Sequence, residues 1–189
     1  MRIPSAVSAT LAFSALLLVG TSHGLAAAEA APVTAAIAVI HPTTGYETAG
    51  IVTFAATDGG VKVIADVTGL TPGKHGFHIH EFGDISDSAK AMSTGGHYDP
   101  DGAHHHALVD ADRPKDMPHH AGDMGNLVAD SAGKAHLDIT LQGMSLMGPA
   151  NPIVGRAVII HAKSDDGGQP VGNAGDRVGQ GVIGIAKAK

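Results

Sequence analysis

The 189-residue chain contains no cysteine and no tryptophan, and aromatic residues make up only 3% of it. Without cysteine there is no disulfide, no thiolate metal ligand and no thiol nucleophile. So few rings argue against a base-stacking platform for nucleic acid. Positive charge is scarce as well: 12 Lys and Arg stand against 18 Asp and Glu, a formal net charge of −6. That balance argues against nucleic acid or an anionic membrane surface as the main partner.

Long apolar runs are also missing, except near the N-terminus. There Met1-Arg2 precedes the apolar stretch from Leu11 to Val19, which has the length of a secretory signal core and is short for a bilayer span. Ala26-Ala27-Ala28 and Ala28-Glu29-Ala30 offer small-x-small cleavage sites. Residues 1–30 are expected to be a cleaved signal peptide, with an uncleaved anchor as the alternative. Residues 31–189 then form one exported domain, periplasmic or extracellular, with no membrane attachment after cleavage. Export leads to a compartment that permits disulfides, so a chain without them relies on packing, oligomerisation or bound metal. Monomer and homodimer both remain open.

What the chain does have is glycine, 26 residues of it, and short β-branched runs, which read as an all-β domain. Candidate strands are Thr34 to Ile40, Gly50 to Ala55, Val61 to Val67, His75 to Phe82, Asn126 to Ala129, Ala135 to Leu141 and Arg156 to His161. Asp and Gly residues in Ala56-Thr57-Asp58-Gly59-Gly60 and Ala129-Asp130-Ser131-Ala132-Gly133-Lys134 supply hairpin-turn chemistry. Imperfect alternation in Val63-Ile64-Ala65-Asp66-Val67 fits strands buried on one face of a sandwich or barrel. No segment keeps a helical period. Two long irregular stretches, from about Ser86 to Gly125 and from about Ala162 to Arg177, are of a length that usually serves function or holds an ion.

Histidine is the other abundance, with 13 residues, most of them in local groups. In Gly76-Phe77-His78-Ile79-His80-Glu81, the i, i+2 spacing on a strand points both imidazoles to one face, about 6–7 Å apart. A further histidine closes the apolar run Val158-Ile159-Ile160-His161. The first long loop holds His97, the triplet His104-His105-His106, and His119-His120-Ala121-Gly122-Asp123. Imidazoles with a carboxylate and no thiolate suit Zn(II) or Cu(II) rather than Mg or Ca. A solvated loop that binds metal loosely is the bland alternative.

The order of the motifs carries more than any one of them. Gly-Phe-His-Ile-His-Glu-Phe-Gly-Asp, Gly-Gly-His-Tyr-Asp-Pro, His-Ala-Gly-Asp-Met-Gly-Asn, His161 and Gly172-Asn173-Ala174-Gly175-Asp176-Arg177 together resemble the copper/zinc superoxide dismutase family, from about Val33 to Ile185. The resemblance implies a Greek-key β-barrel or sandwich of about eight antiparallel strands with two long functional loops. It implies His78, His80, His97 and His161 as copper ligands, and His97, His105, His120 and Asp123 as zinc ligands, His97 bridging the two metals. His106 is the alternative to His105. Asp165 matches the aspartate that hydrogen-bonds metal-binding histidines, and Arg177 the arginine that guides the anion. The implied reaction turns superoxide anion into dioxygen and hydrogen peroxide through a one-electron copper cycle beside a structural zinc. A non-enzymatic exported protein that buffers copper or zinc on the same fold is the alternative. A zinc hydrolase fits poorly, because a closed His₃Asp site leaves no open position.

His75 is read as a strand-supporting hydrogen-bonder, His41 and His136 as ordinary strand residues, and His104 and His119 as solvent-facing neighbours of ligands. Two departures from the family stand out. Ala91 and Gln180 occupy the positions of its usual disulfide. The second loop, with Gly167-Gly168-Gln169-Pro170-Val171, has no room for the charged steering residues of many eukaryotic members, which leaves Arg177 with help from Lys74 or Lys163. Losing a native disulfide commonly costs about 2–5 kcal/mol, so zinc is expected to supply more of the loop order here. Chelation should therefore lower the melting temperature by well over a few degrees, and a holo-like value after chelation would contradict this.

Overall fold

The computed structural model describes residues 31–102 and 118–187. The triplet His104-His105-His106 and the signal segment 1–30 lie outside the described residues. Among the described residues nine strands form a single antiparallel sheet: β1 (Ala35–Pro42), β2 (Ala49–Thr57), β3 (Gly60–Thr68), β4 (Gly73–His80), β5 (Asp123–Ala129), β6 (Ala135–Gln142), β7 (Ala157–His161), β8 (Arg177–Val182) and β9 (Gly184–Ile185). Their order is β2-β3-β6-β5-β4-β7-β8-β1-β9, and β2 also pairs with β1, which closes the barrel. Chain neighbours β3 and β4, and β6 and β7, are not sheet neighbours. These two crossovers make the Greek key. The last strand is broken: β8 pairs with β7 and, at His41 and Pro42, with β1, and β9 continues along Ala36 and Ile37. An all-β Greek-key barrel is what the sequence predicts.

All seven expected strands form, with ends shifted by a few residues. Neither β8 nor β9 was among them. The β8 sequence Arg177-Val178-Gly179-Gln180-Gly181-Val182 carries two glycines, which weaken strand propensity. Both glycines serve packing on the inner face: a methyl at Gly179 would sit 2.9 Å from Thr48 Cγ2 and 3.0 Å from Ile40 Cγ2. The expected second loop ends correctly where β8 begins.

Alternation sorts the wall. In β1, Ala36, Ala38 and Ile40 enter the core, as do Val61, Val63, Ala65 and Val67 of β3. β4 differs, because all six residues from His75 to His80 are buried. Phe77 and Ile79 pack in the core with Val158 and Ile160 of β7. On the opposite, outer face stand His78 beside Ile159 and His80 beside Ala157. That outer face is buried because loop residues cover it, with Ala91 packed against Ala157 and Ile159.

The first loop is stitched to β4 by a chain of backbone bonds. Tyr98 N donates to Ile79 O, Gly122 N to Tyr98 O, and Ile79 N to Gly122 O, each at 2.8 Å. A side chain at Gly122 would collide with the Ile79 carbonyl and come within 3.0 Å of Tyr98 N. Gly122→Ala should thus destabilise the protein by about 1–3 kcal/mol, as overpacking does elsewhere; the urea midpoint measures it, and an unshifted midpoint would contradict this seating.

Candidate metal centre

Four buried histidines, His78, His80, His97 and His161, bring one ligand nitrogen each to within 4.8 Å of the others. Two come from β4 and one from the end of β7, the strand that pairs with β4. The i, i+2 pair has ring centroids 6.4 Å apart, as the strand geometry predicts. His97 arrives from the loop, where a bridge to His80 extends the β4 edge. Its ring lies 4.0 Å from that of His78 and 5.2 Å from that of His80.

The second hydrogen-bond partner of each ring decides which nitrogen faces inward. His78 Nε2 donates to Asp165 Oδ2 at 2.8 Å, so His78 offers Nδ1. His80 Nδ1 donates to Gly95 O at 3.0 Å, and His161 Nδ1 to Gly175 O at 3.2 Å. Those two rings therefore offer Nε2. Both Nε2 atoms are buried without a hydrogen-bond partner. Buried polar atoms are almost always satisfied, and an orphan costs about 1–3 kcal/mol. A bound metal removes that cost, so the donor set fits one.

Protonation tells the same story. Burial is the largest cause in each case: it pushes His78 down to about 4 and His161 down to about 3. His80 is pushed well below its ordinary 6.5 by burial and then by the positive charge of Arg177. The rings are held neutral at physiological pH, which is the ligand form.

A second group adjoins the first. His97 Nδ1 lies 2.8 Å from Asp123 Oδ1 and 3.5 Å from His120 Nδ1, and His120 Nδ1 lies 3.6 Å from the same carboxylate oxygen. Edges of about 3.3 Å are expected for a tetrahedron with bonds near 2.0–2.1 Å. Asp123 Oδ2 also accepts from the His120 backbone N–H at 3.1 Å, which fixes the His-x-x-Asp turn at the start of β5. His97 belongs to both groups. The expected fourth member, His105, lies with its alternative His106 outside the described residues.

Asp165 is buried and held on three sides. Its N–H donates to Asn126 Oδ1 at 2.8 Å, its carbonyl accepts from Asn126 Nδ2 at 3.0 Å, and its Oδ1 accepts from Gly167 N at 2.9 Å. Sequence reading missed Asn126, whose side chain reaches the loop from β5. At Gly76 a methyl would sit 2.8 Å from Ala174 Cβ, so the second loop rests directly on β4.

Beside the four histidines opens a cavity of about 550 Å³, lined among others by His80, His97, His161, Tyr46, Lys90 and Arg177. Arg177 Nη1 donates to Ala91 O at 2.7 Å and Thr94 Oγ1 at 2.9 Å, and Nη2 donates to Gly95 O at 2.8 Å. Among the described residues the lysine of the lining is Lys90, and neither Lys74 nor Lys163, the expected helpers of Arg177, lines it. Lys74 sits at the far end of β4, and about 3.3 Å of rise per residue carries it away from His80. The stem of Lys163 runs along Gly175 instead. His75 is no ligand: its Nδ1 bonds His161 O at 2.7 Å and its Nε2 bonds Thr71 O at 2.8 Å, tying β4 to the end of β7. His41 is exposed, and exposed His136 pairs with Asp66 at 2.7 Å. His119 is half-buried, with Nδ1 bonded to His120 O.

Fold and site define a Greek-key barrel whose outer wall carries a buried polyhistidine centre able to hold metal. The family model for copper/zinc superoxide dismutase matches residues 48–183. The chain belongs to that family. Among solved structures, the clock protein EA4 is similar at 40% identity with a TM-score of 0.71, over 84% of this chain and 99% of that one.

Two outcomes follow. The depressed histidines bind fewer protons in the native state than in the unfolded chain, so their stability is present above pH 6.5 and is lost as pH falls toward 4 and 3. The melting temperature of the metal-free protein should fall by about 10 °C or more between pH 7.5 and 4.5; a flat profile by circular dichroism would contradict this. Asp165→Asn should weaken metal affinity at the four-histidine group by about 10–100-fold in a competition titration, whereas unchanged affinity would reduce Asp165 to a turn residue.

Proposed function

We propose that the protein is a copper/zinc superoxide dismutase, with copper held by His78, His80, His97 and His161, and zinc by His97, His105, His120 and Asp123. One observation carries the reading: three of the four grouped histidines, His80, His97 and His161, line the same open cavity as Arg177. Copper would supply a one-electron redox couple and zinc a fixed positive charge beside His97.

The residues have distinct duties. The outer nitrogens of His78, His80 and His161 are committed as donors to Asp165, Gly95 and Gly175, so these rings cannot trade protons during turnover. His97 commits Nδ1 to the Asp123 side, which leaves Nε2 to hold or release a proton toward the anion. Arg177, with its guanidinium fixed by three loop acceptors, draws the superoxide anion into the cavity of an otherwise acidic protein. Two superoxide anions and two protons leave as dioxygen and hydrogen peroxide. An exported setting agrees with the apolar N-terminal segment.

The alternative is a non-enzymatic copper- or zinc-buffering protein, and the likeness to a protein known as a clock protein gives it a place. The dismutation rate per copper of the protein loaded with both metals separates the two. A value near the diffusional range of about 10⁸–10⁹ M⁻¹s⁻¹ supports the enzyme; a fully loaded protein with little activity supports the alternative. Arg177→Ala should keep both metals yet lose roughly tenfold or more in rate together with most of the salt dependence, a size set by electrostatic steering. An unchanged, salt-sensitive rate would remove Arg177 from this role.

A further inference from the structure

Gln180 completes the cross-strand row His78–Ile159–Gln180 on the outer face of the wall. It is a polar side chain only 2% exposed. Its Nε2 donates to Asp87 O in the first loop at 3.1 Å, and the same carbonyl accepts from Ala91 N at 2.9 Å. Asp87 is a hub. Its Oδ1 accepts from Ala89 N and Lys90 N at 3.1 Å each, its Oδ2 accepts from Met92 N at 2.9 Å, and its own N–H donates to Ser93 Oγ at 3.2 Å.

The hub makes the segment from Asp87 to Thr94 a self-bonded unit. Its other side presents Ala91 O and Thr94 Oγ1, and the adjoining Gly95 presents its carbonyl. These are the three groups that grip Arg177. A register shift at Ile160/His161 lets Arg177 and Gln180, both on β8, reach the loop from the same face. The loop is thus held at two points of one strand, by a guanidinium at one and an amide at the other. With no cysteine in the chain, neither point is covalent.

We propose that Gln180 is a positioning residue: its side-chain amide anchors the Asp87 hub to β8 and so fixes the acceptors that aim Arg177 into the cavity. The inference rests on the dismutase reading only in taking Arg177 as the group that meets the anion. Gln180 Oε1 is buried without a partner, so an apolar residue of similar size loses one hydrogen bond and also sheds an unsatisfied oxygen. Global stability should move little while the loop loosens. That separates positioning from support of the fold.

The test compares Gln180→Leu and, should that variant fail to fold, Gln180→Met, with the wild type. In the metal-free protein, hydrogen exchange at the amides of Ala89, Lys90, Met92 and Thr94 should speed up by roughly fivefold, the size of one net hydrogen bond, with β2 and β3 unchanged. In the copper-loaded protein, the affinity for azide, a small monoanion like the substrate, should fall several-fold toward that of Arg177→Ala at equal copper content. Unchanged loop exchange, equal acceleration in loop and barrel, or wild-type azide affinity would each overturn the proposal. A wild-type protein that binds azide but does not dismutate superoxide overturns the dismutase reading and leaves this one intact.

Discussion

The pairing of β4 with β7 is the constraint on which the rest of the site depends. Its register sets Phe77 and Ile79 against Ile160 and Val158 on the inner face, and in doing so commits His78 and His80 to the outer one. Strand alternation permits no other outcome, because a slip of one residue would turn the imidazoles into the barrel and put Phe77 and Ile79 on the outer face. His161 closes β7 at the same level, and His75 locks that end by bonding its carbonyl. The core thereby determines the geometry of a site it does not touch.

An outer strand face normally meets water, and this one does not. The two long loops lie over it, and beside the apolar packing of Ala91 their contacts are polar and specific: Asn126 to Asp165, Arg177 to three acceptors, Glu81 to Gly96 N. Arg156 adds a clasp, with its guanidinium 3.4 Å above the Tyr98 ring and a bond to Glu81 O. The burial that results keeps the imidazoles neutral. The same burial makes the metal-free protein sensitive to acid. Ligand quality and apo-state fragility have a single origin.

Much of this was legible in the chain. The His78/His80 pair required only strand periodicity, and the ordered motifs implied the remaining partners. β8 was not legible, because Gly179 and Gly181 erase strand propensity and their purpose appears only when Thr48 and Ile40 crowd the first and the Val39 carbonyl and Ile40 the second. The supporting role of Asn126 was equally hidden, since nothing local to β5 marks a residue whose partner lies in a loop 39 positions away. Which lysine lines the cavity was not legible either, because on a strand a few residues traverse the barrel and Lys90 reaches the lining from a loop. Contacts made by chain folding over the wall are long-range by construction, and a motif reading has no access to them.

The carbonyl of Gly95 accepts from both His80 Nδ1 and Arg177 Nη2. One peptide plane therefore orients a ring at the floor of the cavity and a cation at its mouth. Redesign of the entrance for a larger or differently charged guest cannot treat the two as separate modules: tilting that plane to re-aim the guanidinium also changes the basicity of the imidazole. Selectivity at the door and electronic character at the centre are, in this barrel, one variable.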